Sequence, residues 1–453
     1  GSATPADVTQ SSQIHLSATV TDDNGVSSVA FYDGDTLLGT VTEEPFEFDV
    51  LVTSVDSGSY SFSAVATDTV DQEAASDEIP LNVSITGGEV HEAQQDLFDG
   101  EEVFGRFGGL TSVSDSRIVL AGANVGSTTE SPMVSVVTLD PDTNPLNDDI
   151  LDSHLPAPPV RFGDNLALIP VTRVANPDIM QPVAFWRYEV FNAAAGTRIP
   201  AAVVQFMAGD VVWGAFAVES HGNGFVLATS GSSVTAFEPD LDIDLWEDGL
   251  GLQAGDEAVV TAAHGLPDGS VVMALDSQDG CQGSEVHYCL RKLNPDGTAS
   301  WTLGMQFAPL EGALAGDLSD GVYFAGRVDS GLYVGHLDAN GDEDHGEVFT
   351  FANPLSTIGA HVVSDQQGGL VVAVATGDQP GNGSVNNETN TVMRLDDELA
   401  ELWRENGLGP GSRPVAALTR PDGRLYIVGI DPDGNSPDVF STSGAVWIAH
   451  ASL

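Results

Sequence analysis

The chain has 453 residues, too long for one ordinary domain and suited to two or three. Hydrophobic residues make up 42%, enough to bury real cores, which excludes wholesale disorder. The 67 acidic and 14 basic residues give a net charge of −53, a surface that repels phosphate backbones and anionic headgroups, so no nucleic-acid partner is expected. Self-repulsion at that charge costs stability at low salt, so salt or divalent cations are expected to stabilise the fold. No apolar run approaches the ~18–20 residues of a membrane span, and no direct membrane insertion is expected. The start, Gly1-Ser2, is read as a trimmed terminus from which a leader has gone.

Residues 13–85 alternate apolar and polar positions, with Gly, Asp and Asn clusters roughly every ten residues. The expected strands are Ile14–Thr21, Val26–Asp33, Thr36–Val41, Phe46–Leu51, Gly58–Thr67 and Ile79–Ile85, with turns at 23–25 and 33–35. The strings T-D-D-N-G-V-S-S-V-A-F-Y-D-G-D-T-L-L-G-T, E-P-F-E-F and G-S-Y-S-F-S-A-V-A-T-D resemble the bacterial Ig-like domains of surface and secreted proteins. The resemblance covers residues 10–86 and implies a spacer, or a carbohydrate- or protein-binding module. Asp22, Asp23 and Asp68 are read as turn acids, with a shared cation as the other reading.

The rest of the chain repeats itself. H-G-N-G-F-V-L-A-T (221–229), L-P-D-G-S-V-V-M-A (266–274), L-S-D-G-V-Y-F-A-G (318–326), Q-Q-G-G-L-V-V-A-V (366–374) and R-P-D-G-R-L-Y-I-V-G (420–429) each give a turn and a short apolar strand. S-D-S-R-I-V-L-A-G (114–122) is a sixth copy, and the spacing leaves room for a degenerate copy at 166–173 and 183–191. Periods of roughly 45–54 residues suit four-stranded blades. A third strand ending Leu-Asp recurs at 136–140, 333–338 and 392–396, with Leu-Asn at 290–294, and an aromatic follows at Trp246, Trp301, Phe349 or Trp403. This resembles bacterial β-propeller repeat families of the type L-D-x-x-G…W…D-G…A-G. The expected fold is therefore all-β: an N-terminal Ig-like β-sandwich (1–86) and a C-terminal seven-bladed β-propeller (87–453). Residues 446–453 align with 332–338, so the chain stops on a third strand. Residues 89–100, with Phe98 at the aromatic position, are expected to complete the last blade and close the ring.

The A–B and C–D turns are short and share one face; the B–C loops, at 123–133, 276–287, 376–390 and 431–443, are longer and share the other. Long loops on a rigid scaffold are where binding resides. Asp431, Asp433, Asn435 and Asp438 offer alternating oxygen ligands that suit Ca²⁺. No EF-hand is completed, and a simple acidic turn is the other reading. Residues 140–149 are similar. Cys281 and Cys289 could face each other across a hairpin, and a disulfide fits an oxidising compartment; a metal site or free thiols are the other readings. The ten histidines form no H-x-H or H-E-x-x-H arrangement, and His336 and His450 occupy a scaffold position held elsewhere by Thr138, Lys292 and Arg394.

No G-x-S-x-G elbow, P-loop or dinucleotide fingerprint is present. The expectation is a non-enzymatic exported protein, extracellular, cell-surface or periplasmic, that binds a protein or carbohydrate partner at the cell envelope. The other reading is a propeller hydrolase or lyase acting on polysaccharide through acids at the central channel.

Overall fold

The structure, a computed structural model, describes residues 6–94, 103–124, 133–151, 155–156, 159–162, 164–175, 183–199, 212–220, 223–230, 233–237, 244–249, 258–277, 288–307, 309–328, 331–351, 357–378, 386–407, 413–432 and 444–453. Strands dominate it; the one helix among the described residues is a 3-10 turn at Ser54–Asp56. Two compact units are present. One is Gly1–His91 with Thr419–Leu425 and Ala451–Leu453; the other is Glu92–Leu418 with Tyr426–His450.

The first unit carries β1 (Ala6–Val8), β2 (Ser12–Ala18), β3 (Val26–Asp33), β4 (Thr36–Val41), β5 (Phe46–Val52), β6 (Gly58–Asp68), β7 (Glu73–Ala75) and β8 (Ile79–Val83). One sheet runs β1-β8-β6-β3-β4 with β7 beside β6, and β2 pairs with β5 in a second. Val29, Phe31, Phe46, Val52, Phe62, Leu81 and Val83 point inward and are buried. Each such side chain contributes roughly 1.5–3 kcal/mol by leaving water. The turns explain the acids. Asp22 accepts the Asn24 N–H, and one oxygen of Asp68 accepts the N–H groups of Val70 and Gln72, so both serve as turn acids.

The second unit is a succession of antiparallel sheets. The first holds β10 (Val103–Ser114), β11 (Arg117–Asn124), β12 (Met133–Leu139) and β13 (Pro145–Leu151), after the preceding strand β9 (Val90–Gln94). The second sets β14 (Leu155–Pro156) and β15 (Val160–Arg161) along β16 (Leu166–Ala175), followed by β17 (Val183–Asn192) and β18 (Thr197–Ile199). Here β16 and β17 pair over their full length, at the degenerate copy. The third is β19 (Val212–Ser220), β20 (Asn223–Ser230), β21 (Ser233–Phe237) and β22 (Asp244–Gly249). The fourth is β23 (Ala258–Gly265), β24 (Val271–Ser277), β25 (Tyr288–Leu293) and β26 (Ala299–Met305). The fifth is β27 (Pro309–Gly316), β28 (Val322–Val328), β29 (Gly331–Leu337) and β30 (Glu343–Phe349). The sixth is β31 (Thr357–Ser364), β32 (Leu370–Asp378), β33 (Asn386–Leu395) and β34 (Glu401–Asn406). Last come β35 (Arg413–Thr419), β36 (Arg424–Pro432) and β37 (Gly444–Ser452). β9 pairs with β37, and Val103 of β10 pairs with Gly444.

Second strands read as unbroken apolar runs because both sheet faces are covered. Leu370 to Ala375 are all at 0% exposure. The covering surface is the neighbouring sheet. Val119, Ala121 and Val136 of the first sheet pack on Ala167, Ile169 and Phe191 of the second. Val272 and Leu290 of the fourth meet Val322 and Phe324 of the fifth. Tyr323 and Val334 of the fifth meet Val362 and Val372 of the sixth. Ile118, Leu120 and Leu139 of the first meet Tyr426, Val428, Val446 and Ile448 of the last strands. Four-stranded sheets stacked face to face in chain order are the blades of a β-propeller.

Candidate functional site

Each sheet presents two ends. At one end stand the A–B and C–D turns, and here the acids are committed to backbone. Asp140, Asp338 and Asp396, which close third strands, each accept two N–H groups from the following turn, at 2.7–3.1 Å. The recurring Leu-Asp is thus an Asx turn: the carboxylate satisfies amides that a five-residue hairpin leaves unpaired. Asp342 N–H and the Asn340 side chain hold Asp338 below the usual carboxylate range. The Asp140 carboxylate is committed in the same way, and the turn reading of its segment is the one its geometry favours.

The scaffold position on the third strand also has a partner. Lys292 lies 3.4 Å from Asp268, Arg394 2.9 Å from Asp365, and His336 Nε2 3.0 Å from Asp317 Oδ2. In each case the acid comes from the A–B hairpin and the base from strand C, so the pair ties three strands together. Arg394 and Asp365 are 1% and 2% exposed. The hairpin glycine is required by the same geometry. A Cβ on Gly321 would stand 2.7 Å from the Leu337 carbonyl and 2.8 Å from His336 Nε2. Strand-B tyrosines cover the histidines: Tyr323 lies 4.5 Å from His336 and Tyr426 5.3 Å from His450, ring to ring.

The fifth sheet departs from its neighbours on strand D. In five sheets the third and fourth strands share one register irregularity, which places a single extra residue on strand D: Leu146, Leu245, Ser300, Asp344 and Leu402. The next residue pairs with the scaffold position: Asn147, Trp246, Trp301, His345 and Trp403. His345 is therefore the counterpart of the tryptophans. Phe349, expected there from sequence, pairs instead with Leu332 at the far end of the hairpin. In the first, fourth, fifth and sixth sheets the turn is five residues, and counting from Leu-Asp or Leu-Asn finds the true position. The bulge turns Asp344 onto the face of His336, whose Nδ1 lies 2.7 Å from Asp344 Oδ1; His345 Nδ1 lies 3.1 Å from the same oxygen. Burial works to raise the Asp344 carboxyl, but the hydrogen bond and charge of His336 outweigh it and hold the group below the usual range.

Other sequence-derived candidates fall elsewhere. Asp431 ends in β36, while Asp433, Asn435 and Asp438 lie outside the described residues. Cys289 is buried in β25, and Cys281 lies outside the described residues; no free cysteine stands among those described. Phe98 also lies outside them. No helix among the described residues is long and apolar enough to cross a membrane.

Two histidines on first strands, His264 and His361, are partly buried, and desolvation lowers each to about 4. The unfolded chain, with a His value near 6.5, takes up protons first. Stability is therefore expected to fall as pH drops from about 6.5 toward 4, by roughly 1–2 kcal/mol per histidine after allowance for partial exposure. Denaturation midpoints across that range test this; the double variant H264Q/H361Q should show a flatter profile.

Fold and turns define the class: an Ig-like sandwich with a β-propeller. Residues 2–64 match the bacterial Ig domain family. No curated protein matches the chain. Among solved structures, the fibronectin(III)-like modules of Clostridium thermocellum CbhA are 29% identical, covering 18% of this chain and 89% of theirs at TM-score 0.17. The β-propeller domain of the Pyrococcus furiosus trilobed protease is 8% identical, covering 77% of this chain and 93% of its own at TM-score 0.42. A leech intramolecular trans-sialidase is 10% identical, covering 97% and 94% at TM-score 0.41.

Proposed function

We propose that the protein is an exported, non-enzymatic binding or scaffold protein of the cell envelope, with the Ig-like domain as spacer and the long-loop face of a seven-bladed propeller as the contact surface. One observation carries this: the connections split by end. Every C–D turn at 140–144, 294–298, 338–342 and 396–400 is five residues and held by its Asp or Asn. The B–C connections at 125–132, 278–287, 379–385 and 433–443 run from seven to eleven, while those of the third and fifth sheets, 231–232 and 329–330, are two residues. Only the second end has length to spare for recognition.

Ring closure by β9 is part of the proposal. Its support is the β9–β37 pairing, the shared core of the first and last strands, and the Tyr426 hydroxyl, which donates to the Pro141 carbonyl at 2.7 Å. A Cys281–Cys289 disulfide and Ca²⁺ at Asp431, Asp433, Asn435 and Asp438 would both brace loops of the contact face. The test is a panel of envelope polysaccharides and proteins, assayed for retention and for product release. The expected result is retention without turnover, abolished when 433–443 is shortened to a two-residue turn. Release of new reducing ends would establish the hydrolase reading instead, or of unsaturated ends the lyase.

A further inference from the structure

We propose that His336, Asp344 and His345 form a binding site for a divalent transition-metal ion of the Zn²⁺ class. The ligand atoms of these three residues lie within 4.8 Å of one another. Two imidazoles and one carboxylate suit Zn²⁺ and its neighbours, whereas Ca²⁺ prefers oxygen alone. Two tetrahedral ligands about 2.1 Å from zinc stand roughly 3.4 Å apart, so a small opening of the 2.7 and 3.1 Å contacts admits the ion.

The repeat makes the grouping informative. In the third, fourth and sixth sheets the strand-D pair is Leu-Trp or Ser-Trp, and in the first it is Leu146-Asn147. In the fourth the tryptophan packs, as Trp301 donates its N–H to the Ala339 carbonyl and lies against Gly341 of the next turn. The fifth sheet gives up that aromatic for His345 and the neighbouring Leu or Ser for Asp344. Both replacements supply metal ligands, and they meet where strand C has His336 in place of Lys292 or Arg394.

The outer shell is also in place. One oxygen of Asp317 accepts the N–H groups of Ser319 and Gly321 at 2.7 Å, which fixes the carboxylate. Its other oxygen faces His336 Nε2 at 3.0 Å. With an ion on Nδ1, that contact would hold the remaining ring proton on Nε2, the carboxylate–histidine–metal arrangement. His345 Nδ1 is buried and has no hydrogen-bond partner of good geometry. Asp344 and His345 side chains are 43% and 40% exposed, so the ion has an entry path and keeps a coordination position for water or a partner's side chain.

The experiment uses the full chain, freed of metal with chelator and dialysed into millimolar Ca²⁺ to occupy surface acids. Zn²⁺ is titrated by calorimetry, and Co²⁺ absorption reports nitrogen coordination. Wild type should take up one tight equivalent, show the visible Co²⁺ bands and melt at a higher temperature with Zn²⁺. H345W and D344L restore the residues of neighbouring sheets and so should fold; each should weaken that equivalent at least tenfold. H345Q serves if the tryptophan disturbs the rim. Equal Zn²⁺ uptake and equal Co²⁺ spectra in wild type and the folded variants, or no tight equivalent in wild type, would overturn the proposal.

Discussion

Asp365→Ala is expected to cost roughly 3–5 kcal/mol of folding stability, because it breaks an ion pair whose two members are both buried. Arg394 is 1% exposed, its Nε donates to Asp365 Oδ2 at 3.0 Å, and an Nη lies 2.9 Å from the same oxygen. The pair joins the A–B hairpin to strand C inside the sheet stack, where the guanidinium has no route to water. Removing the carboxylate takes from the buried guanidinium its Asp365 charge, and the neutral Gln367 oxygen that also accepts from Arg394 does not replace it. Arg394→Met in the same chain should recover much of it, because an apolar side chain of similar length needs no partner. Urea denaturation of the two single variants and the double variant checks both statements. The matching loss at Lys292–Asp268 should be smaller, since Asp268 is 37% exposed.

Leu120→Ala should cost about 2–5 kcal/mol. Leu120 is fully buried between the first sheet and the last strands, against Val428 and Ile448. The backbone there is held by two ladders, so the void cannot collapse. Leu318→Ala, at a position 60% exposed, should stay within about 0.5 kcal/mol and serves as the control.

The sheets were legible in the sequence because their second strands combine an apolar run with a fixed turn. D-G-S-V-V-M-A and D-G-R-L-Y-I-V state both the hairpin and its burial on two faces. Leu-Asp was legible as a repeat, though its reason, an Asx turn that closes strand C, needed the hydrogen bonds. The cluster at His336 was hidden for two reasons. His336 and His345 are nine apart in sequence and meet only across a hairpin, so no short ligand motif marks them. The bulge at Asp344 then breaks the two-residue alternation that would assign faces, and Phe349 is drawn into the aromatic position although it lies four residues too far along. The strands at 166–175 and 183–192 lack the turn glycine, and spacing alone located them.

The central claim is that the ring closes on itself through the strand at Val90–Gln94. Backbone amide exchange, measured residue by residue, tests it directly. Amides of Val90–Gln94 that pair with Gly444–Ser452 should be protected together with them, at a rate close to that of β32 and set by global unfolding. Rapid exchange at 90–94 while β37 stays protected would contradict closure by this strand.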